Sequence, residues 1–499
     1  MRRLRWLAAV AVIAMCAFAV YAEDFVFQDI KVYEPDNSSI FTASAITFEN
    51  ISSNSELQVD LFIVPQPYQD NRKDKISVYF PEFTLKPGEK KHIQIPNKLF
   101  DDIPFAVYLK INGKSYNFHS RYDNRLCDST LRADIKSNDS AMWHIPISMW
   151  PTDSGVLRNA YTIILPDNQP ITPKLKEALL DYVMAGGKIR FSGEQKGYYR
   201  YGLGLMPTND KNLDAHQNTH IQRLIRAYQP KLSETVLNSV VTVLIIFAIC
   251  AGPVAIISCR KKRHAIFWVV PAISVLFSGI IAIIALWIDG IQPIIKYATY
   301  SIIDETRNKA ATVSEFWIKH PMPVQKNISL PPNSNISNLT VYNDNARAVI
   351  APDQSVVIEN AITPMQPFYI SYINVEPQSS KLELSSVQQN KVAVKNTLGH
   401  EIKALFVRAE NGDILYTDSP IQPGDTAELT RLYGNKNISV DMPDKITLTP
   451  NNRLLNSLDY MAVIDRPLTS AMPEYDNANI EQTHIVFGLK SSPGGVLWK

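Results

Sequence analysis

Two histidines four residues apart form the strongest metal-ligand pattern in this 499-residue chain. On a helix, His216 and His220 would lie on one face, where both imidazoles reach the same ion. A zinc-protease pattern requires a glutamate directly after the first histidine, but Gln217 occupies that position and no third ligand is evident. The same spacing fits a packing stripe with Leu213 and Leu224. The sequence therefore predicts no metal site.

Candidate nucleophiles are equally isolated in the sequence. Cys127 lies outside any Gly-x-Cys-x-Gly context, and the chain has no Gly-x-Ser-x-Gly elbow that would present a catalytic serine. The segment Gly202-Leu203-Gly204 lacks the third glycine of a phosphate-cradling loop. We therefore predict no catalytic residue, no cofactor-binding residue and no cofactor.

A strand–helix–strand unit is predicted in the middle of the chain. The apolar run Ala160–Leu165 predicts a buried strand, and Thr172 followed by Pro173 is typical of a helix start. Apolar residues at helical spacing follow, and Gly186-Gly187 predict the helix end. The next strand, Lys188–Phe191, completes a parallel βαβ unit.

This unit resembles the glutamine-amidotransferase-like domain of uncharacterised bacterial membrane proteins, a flavodoxin-like α/β fold. The resemblance is carried by four segments of the unit and by six patterns further along, namely Ile163–Pro166, Leu175–Val183, Gly186-Gly187, Phe191-Ser192-Gly193, Gln229–Leu232, Gly252-Pro253-Val254, the basic turn 260–263, Pro271, Tyr460–Val463 and His484–Gly488. Active members have a cysteine nucleophile on a tight turn after a strand, whereas Ser192-Gly193-Glu194-Gln195 follows Phe191 here. The resemblance therefore implies a fold without the catalytic site.

The two ends of the chain read as short antiparallel strands. Alternating residues such as Leu57–Leu61 and the Pro87-Gly88 turn predict an immunoglobulin-like β-sandwich. The far end repeats this pattern, with strands at Lys391–Asn396 and Ala404–Val407 before a Pro423-Gly424 turn.

A signal peptide is predicted at the N-terminus. Arg2, Arg3 and Arg5 precede an apolar run, and Ala22 and Glu23 flank the expected cleavage position. An uncleaved anchor and a lipoprotein modified at Cys16 are the alternatives.

Two long charge-free runs, 240–259 and 265–288, predict transmembrane helices. The basic turn between them predicts a cytoplasmic position, and it consists of Arg260, Lys261, Lys262 and Arg263. Gly252-Pro253 predicts a helix kink, since proline removes a backbone donor. No charged residue lies within either run, which argues against a transport pathway through the pair.

Net charge and cysteine content exclude two further classes. The formal net charge of +2 gives no electrostatic case for nucleic-acid binding. The four cysteines are Cys16, Cys127, Cys250 and Cys259, and only Cys127 would remain in the mature outer domains. We therefore expect no stabilising disulfide there.

The predicted fold class is a multidomain membrane protein with a β-sandwich, a small α/β domain, a two-helix transmembrane hairpin and a β-rich C-terminal domain. The predicted boundaries are a signal peptide (1–22), the sandwich (23–120), the α/β domain (121–208), a juxtamembrane segment (209–239), the hairpin (240–259, 260–264 and 265–288) and the C-terminal domain (289–499).

The predicted function is that of a non-catalytic, membrane-anchored binding or scaffold protein of the bacterial envelope. The predicted location is the inner membrane, crossed twice, with both large domains extracytoplasmic. We expect a lipid bilayer and another envelope or membrane protein as partners, and no nucleic acid. An accessory transporter subunit and an envelope hydrolase or amidotransferase with an unrecognised site are the alternatives.

Overall fold

The computed structural model describes the chain in segments, and every structural statement below concerns these residues. They are 25–27, 30–33, 45–65, 76–94, 105–120, 130–132, 142–144, 147, 150, 154–157, 160, 162–165, 170–191, 197–208, 234–258, 264, 266–289, 293–320, 326–332, 334–341, 343, 345–351, 355–364, 366–388, 391–409, 413–417, 419–431, 438–439, 447–448, 459–468 and 479–489.

The N-terminal part consists of β-strands. They are β1 (Phe25–Phe27), β2 (Ile30–Tyr33), β3 (Ala45–Asn50), β4 (Leu57–Pro65), β5 (Ser77–Leu85), β6 (Lys90–Gln94), β7 (Phe105–Ile111) and β8 (Lys114–Ser120). One sheet has the order β1-β2-β3-β6. Strands β4, β5, β7 and β8 belong to a second sheet, and both sheets contribute to one apolar core.

The middle part is an α/β unit. Its elements are β9 (Thr130–Arg132), β10 (Met142–His144), α1 (Ser154–Leu157), β11 (Thr162–Leu165), α2 (Pro173–Met184), β12 (Lys188–Phe191), β13 (Gly197–Tyr201) and β14 (Gly204–Thr208). The sheet order is β10-β9-β11-β12-β14-β13, with only β13 antiparallel to its neighbour. The parallel strands thus follow the order 2-1-3-4-5, one of the common doubly wound arrangements.

The predicted βαβ unit is confirmed in this region. Strands β11 and β12 pair in parallel, with α2 between them in the chain. Thr172 Oγ1 accepts a hydrogen bond from the Leu175 amide at 3.3 Å, and Pro173 occupies the first turn. Gly186 follows the helix at a φ of 110°, a left-handed value that favours glycine.

Two helices follow the α/β unit. The first is α3 (Glu234–Ile249), which continues through a π-helical segment (Cys250–Val254) into α4 (Ala255–Ser258), and the second is α5 (Ile266–Asp289). Gly252 and Pro253 lie in the π-helical segment, where proline removes an α-helical hydrogen bond. The rings of Phe247 and Phe277 pack with their centroids 5.5 Å apart.

The prediction of a transmembrane hairpin is wrong, because no helix among the described residues is both long and apolar enough to cross a membrane. In the first predicted span, the α-helix of 16 residues ends at Ile249. This regular α-helical part is about 24 Å long, short of the ~30 Å hydrocarbon core, and the helix continues beyond it only through the π-helical segment.

This finding also corrects the predicted location, a two-pass inner-membrane protein with both large domains extracytoplasmic, and the membrane part of the predicted fold class. The structure is instead dominated by β-sheet. The basic turn 260–263 and the signal-cleavage residues Ala22 and Glu23 lie outside the described residues.

The C-terminal part begins with the long strands of the central sheet, β15 (Ile294–Asp304) and β16 (Lys309–Lys319). The following strands are β17 (Ile328–Leu330), β18 (Asn335–Thr340), β19 (Arg347–Ile350), β20 (Val356–Glu359), β21 (Pro367–Pro377), β22 (Leu382–Gln388), β23 (Lys391–Asn396), β24 (Ile402–Arg408), β25 (Ile414–Thr417), β26 (Thr426–Arg431), β27 (Ile438–Ser439), β28 (Thr447–Leu448), β29 (Tyr460–Ile464) and β30 (Asn479–Leu489).

An 11-stranded sheet, called the long sheet below, has the order β18-β21-β16-β15-β30-β29-β24-β25-β26-β23-β22. Strands β17, β20 and β19 instead extend the N-terminal sheet, where β19 pairs in parallel with β5. The N-terminal core therefore includes residues from both ends of the chain, such as Val59 and Ile358.

The repeated strand–turn pattern of the two ends is reproduced in three dimensions. The buried Asn50 side chain donates from Nδ2 to the carbonyls of Ser55 and Leu85, each at 2.9 Å. The buried Asn396 donates in the same way to His400 and Ile421, at 2.8 and 2.9 Å. The backbone carbonyl of each asparagine also accepts a hydrogen bond from the glycine amide of the predicted Pro-Gly turn. Gly88 donates to Asn50, and Gly424 donates to Asn396.

Candidate functional site

The α/β unit meets the long sheet at the turn between β15 and β16. Arg307 Nη2 donates to Asp181 Oδ1 of α2 at 2.5 Å, and Lys309 Nζ lies 2.7 Å from Asp181 Oδ2. Lys309 also pairs with Glu177 at 3.0 Å. The side chains of Arg307 and Asp181 are only 13% and 14% exposed, so this contact is shielded from solvent. We call these four residues the docking cluster.

A second contact lies beside the docking cluster. The Tyr201 hydroxyl donates to Asp304 Oδ2, and Arg307 Nη1 donates to the same hydroxyl at 3.1 Å. The other oxygen of the buried Asp304 accepts the amide and hydroxyl of Thr306 at 3.0 and 2.6 Å. Burial raises the pKa of Tyr201 well above its ordinary value, so the phenol stays protonated and donates.

Two glycines allow the α/β unit to close tightly next to this contact. A Cβ at Gly204 would lie 2.2 Å from the carbonyl oxygens of Val183 and Gly187. Gly202 has a φ of 61°, and its Cβ would lie 2.7 Å from the Met184 Cα. The Gly202-Leu203-Gly204 segment therefore packs closely against the end of α2.

A buried polar band crosses one face of the long sheet. Register places His484, Thr299, Ser314 and Tyr372 in one row, and Ser301, Thr312 and Asn374 in the next. All seven residues are buried. The band lies between two apolar cores on the same face, one shared with the N-terminal sheets and the other with β22–β26.

Hydrogen bonds satisfy part of this band. His484 Nδ1 lies 2.8 Å from Thr299 Oγ1, and Ser301 Oγ lies 2.9 Å from Thr312 Oγ1. Ser314 Oγ has no hydrogen-bond partner of normal geometry among the described atoms, although the Ser314 and Tyr372 hydroxyls are close enough to interact. An unsatisfied buried polar atom lowers the free energy of unfolding by about 1–3 kcal/mol. The apolar cores on either side of the band offset this loss.

The His484 imidazole is held neutral in the band. Burial, followed by the charges of Lys403 and His400, lowers its pKa to about 3. A Thr–His pair has two members of a nucleophile–base arrangement, but the other ring nitrogen, Nε2, lies 3.4 Å from the amide oxygen of Gln482 instead of a carboxylate. His484 and Thr299 are also 0% and 1% exposed, which excludes substrate. The pair is therefore structural.

The opposite face of the long sheet carries the buried carboxyl group of Glu315. Burial raises its pKa to about 7, and the hydrogen bond with Tyr369 partly opposes this shift. The side chain is 4% exposed, so a substrate cannot reach it without rearrangement of the sheet face.

The described residues include no group of three or more metal-ligating side chains. The candidate ligands His216 and His220, the candidate nucleophile Cys127 and the turn Ser192–Gln195 lie outside the described residues. The predicted absence of catalytic, cofactor-binding and metal-binding residues therefore stays a prediction.

Sequence reasoning did not identify the docking cluster. Its members come from α2 and from a turn more than a hundred residues later, and each is an ordinary charged residue in its own segment. The available signal was the Arg307-Asn308-Lys309 turn between two strongly apolar strands, together with Glu177 and Asp181 one turn apart on α2.

Comparisons with known proteins identify no family. No family model matches the chain. No curated protein matches it. Among solved structures, the yeast delta-COP-I mu-homology domain matches at 8% identity, and the same domain in complex with a Dsl1 WxWxV peptide matches at 7%. Each match covers 40% of this chain and 96% of the other, with a TM-score of 0.19. A score this low carries no argument about fold or function, and the amidotransferase-like resemblance stays a prediction.

Proposed function

We propose that this chain is a non-catalytic binding or scaffold protein in which the α/β unit is held in a fixed orientation on the long sheet. The docking cluster carries this proposal. Asp181 engages Arg307 and Lys309 at once, and Arg307 also engages Tyr201. These charged groups pair with one another across the contact between the α/β unit and the long sheet. Such pairing holds the two parts in one orientation, as expected of a rigid framework.

The buried polar groups support the same proposal. Thr299, His484 and Glu315 are the described groups nearest to acid–base or nucleophilic chemistry, and all three are closed to substrate. A catalytic base needs to reach a bound substrate within hydrogen-bonding distance. A partner protein, in contrast, needs only the surface that a rigid framework presents.

A glutaminase assay of the purified chain tests the non-catalytic part. We expect no glutamine hydrolysis above the buffer rate for the wild type or for Cys127→Ala. Hydrolysis by the wild type that Cys127→Ala abolishes would show an active amidotransferase and overturn the proposal.

The scaffold part is tested by chemical cross-linking and purification from the source cells. We expect a protein partner in stoichiometric yield with the wild type, and a lower yield with Asp181→Lys, which places like charges in the docking cluster. Asp413→Lys is the matched control, because Asp413 pairs with Arg431 at 2.7 Å away from the cluster. A wild-type chain recovered without any partner, or an equal loss with both variants, would contradict the proposal.

A further inference from the structure

Buried oxygens without hydrogen-bond partners gather at one place in the buried polar band of the long sheet. Four such side-chain atoms belong to the neighbouring strands β15, β16 and β21, and they are Tyr297 Oη, Ser314 Oγ, Asn374 Oδ1 and Glu376 Oε1. Buried polar atoms in folded proteins are paired in the great majority of cases. Four unpaired oxygens on three adjacent strands therefore indicate a position where a ligand completes the pairing.

Strand register brings these side chains to one face of the sheet. Ser314 of β16 lies opposite Tyr372 of β21, and Asn374 and Glu376 follow Tyr372 at two-residue intervals. Residues two apart in a strand share a face, so all four belong to the face of the polar band. Tyr297 of β15 belongs to the same face. Side chains that are opposite or diagonal across paired strands have Cβ atoms about 4.5–8 Å apart, which is within reach of one small ligand.

Interactions between the side-chain ends show that the polar groups converge. Asn374 Nδ2 donates to Glu376 Oε2 at 3.3 Å, which leaves Asn374 Oδ1 and Glu376 Oε1 as the two unpaired acceptors. Burial raises the pKa of Tyr297 and of Tyr372, and the charge of Glu376 adds a smaller effect in the same direction. The carboxyl group therefore lies close enough to both phenols to act on them.

The unpaired atoms are the ligands that a hard cation prefers. They comprise a carboxylate oxygen, an amide carbonyl oxygen and two hydroxyl oxygens, with no nitrogen or sulfur among them. Burial raises the pKa of Glu376, and no described basic side chain opposes this shift. A bound cation would supply the missing opposite charge, and an unpaired buried charge is otherwise strongly unfavourable.

Charge and access favour a small monovalent ion. The single carboxylate of Glu376 balances one positive charge, whereas a divalent ion would keep an uncompensated charge in a buried site. Tyr297 and Ser314 are each 1% exposed, but the Glu376 side chain is partly exposed. An ion that sheds its water can therefore enter from the Glu376 end of the band, and a bulky organic cation cannot follow it.

We propose that Glu376 Oε1, Asn374 Oδ1 and Ser314 Oγ bind a small monovalent cation of the sodium or potassium class, with the Tyr297 hydroxyl as a further ligand. The ion joins β15, β16 and β21 and neutralises the buried carboxylate. This site goes beyond the proposed scaffold function, because it requires neither a partner protein nor the docking cluster.

Thermal unfolding of the full-length chain in sodium, potassium and choline chloride at equal ionic strength tests this proposal. Choline provides the same screening of surface charge but is too large for a buried oxygen site. A ligand that binds only the folded chain stabilises it in proportion to its occupancy. We therefore expect sodium or potassium to raise the melting temperature above its value in choline, with an effect that saturates as the cation concentration rises.

Glu376→Gln keeps the shape of the side chain and removes its charge. We expect this variant to need an alkali-cation concentration at least about tenfold higher for the half-maximal shift, because ligand charge sets the affinity of oxygen sites. Glu383→Gln is the matched control, since Glu383 lies in β22 of the same sheet, is mostly exposed and pairs with Lys395 at 3.7 Å. The control should respond to the cations as the wild type does.

Equal melting temperatures of the wild type in the three salts would overturn the inference. A wild-type response from Glu376→Gln, or a response of the wild type to calcium chloride alone, would overturn it as well. Circular dichroism shows whether Glu376→Gln is folded. If it is not, Ser314→Ala replaces it, because this variant keeps the carboxylate and loses one ligand, and it should weaken the cation response several-fold.

Discussion

Arg307 Nη2 lies 2.5 Å from Asp181 Oδ1, in a largely buried contact between the turn after β15 and helix α2. The two residues are 126 positions apart in the chain. Because Arg307 also donates to Tyr201, the contact ties both α2 and β13 to the long sheet.

Removal of the Asp181 charge should destabilise the protein. Asp181→Asn leaves Arg307 and Lys309 facing each other with one charged acceptor fewer, so we expect a loss of about 2 kcal/mol in the free energy of unfolding. Urea denaturation measures this loss. Asp413→Asn breaks a more exposed pair with Arg431 and should cost less than about 1 kcal/mol. Equal losses would contradict a special role for the docking cluster.

Gly204→Ala should destabilise the α/β unit. The added methyl group would lie 2.2 Å from two backbone oxygens, which cannot move without shifting α2. We expect a loss of about 2 kcal/mol or more in thermal or urea unfolding. Gly279→Ala in α5 is the control, since nothing lies within 4 Å of its added Cβ and alanine favours a helix. A tolerated Gly204→Ala would mean that this packing is looser than the structure shows.

Asn50→Ala and Asn396→Ala should have similar effects, because each removes the donor for two carbonyl groups at the same kind of turn. At each turn one of these hydrogen bonds is buried and the other is partly buried, which predicts a loss of about 1–3 kcal/mol in the free energy of unfolding for each variant. The exposed Asn338→Ala in β18 should change stability by less than about 0.5 kcal/mol. A large effect at only one of the two asparagines would show that the two turns are not equivalent.

His484 should make the protein less stable in acid. Its pKa is about 3 in the folded chain and 6.5 when unperturbed, so the unfolded chain binds the proton first as the pH falls below 6.5. The stability that neutral His484 contributes is present above pH 6.5 and is lost as the pH falls towards 3. We expect about 2–3 kcal/mol of this loss between pH 7 and pH 4. His484→Gln should flatten that part of the pH profile, and an unchanged profile would contradict a buried neutral histidine.

Glu315 should make the protein less stable as the pH rises, which is the opposite of the effect of His484. Its pKa is raised from 4.5 to about 7 by burial, so the folded chain retains the proton that the unfolded chain has already released. The contribution of protonated Glu315 is full below pH 4.5 and is lost as the pH rises through 7. Between pH 4.5 and pH 8, the free energy of unfolding of Glu315→Gln should therefore rise by about 2–3 kcal/mol relative to that of the wild type. A difference in unfolding free energy that is constant with pH would disprove the raised pKa.

Local signals in the sequence predicted local structure well. Thr172, Pro173 and Gly186 act within a few residues of the helix ends, and α2 begins and ends as they indicate. The Pro-Gly turns likewise predicted the sites where Gly88 and Gly424 adopt positive φ values. Each of these residues restricts its own backbone, so its effect does not depend on distant partners.

Predictions based on apolar length alone were wrong. The runs 240–259 and 265–288 are free of charge, but the structure breaks the first α-helix at the segment containing Pro253. Apolar composition indicates that a segment avoids water, whereas helix continuity depends on backbone hydrogen bonds that proline cannot make.

The sequence by itself determined the strand-rich ends, the βαβ unit and the turns. Only the tertiary structure decided that β19 joins β5 and that Arg307 meets Asp181. These arrangements depend on the register and order of strands that are distant in the chain. Register is set by the burial of whole faces and not by any single residue, which is why no local pattern revealed them.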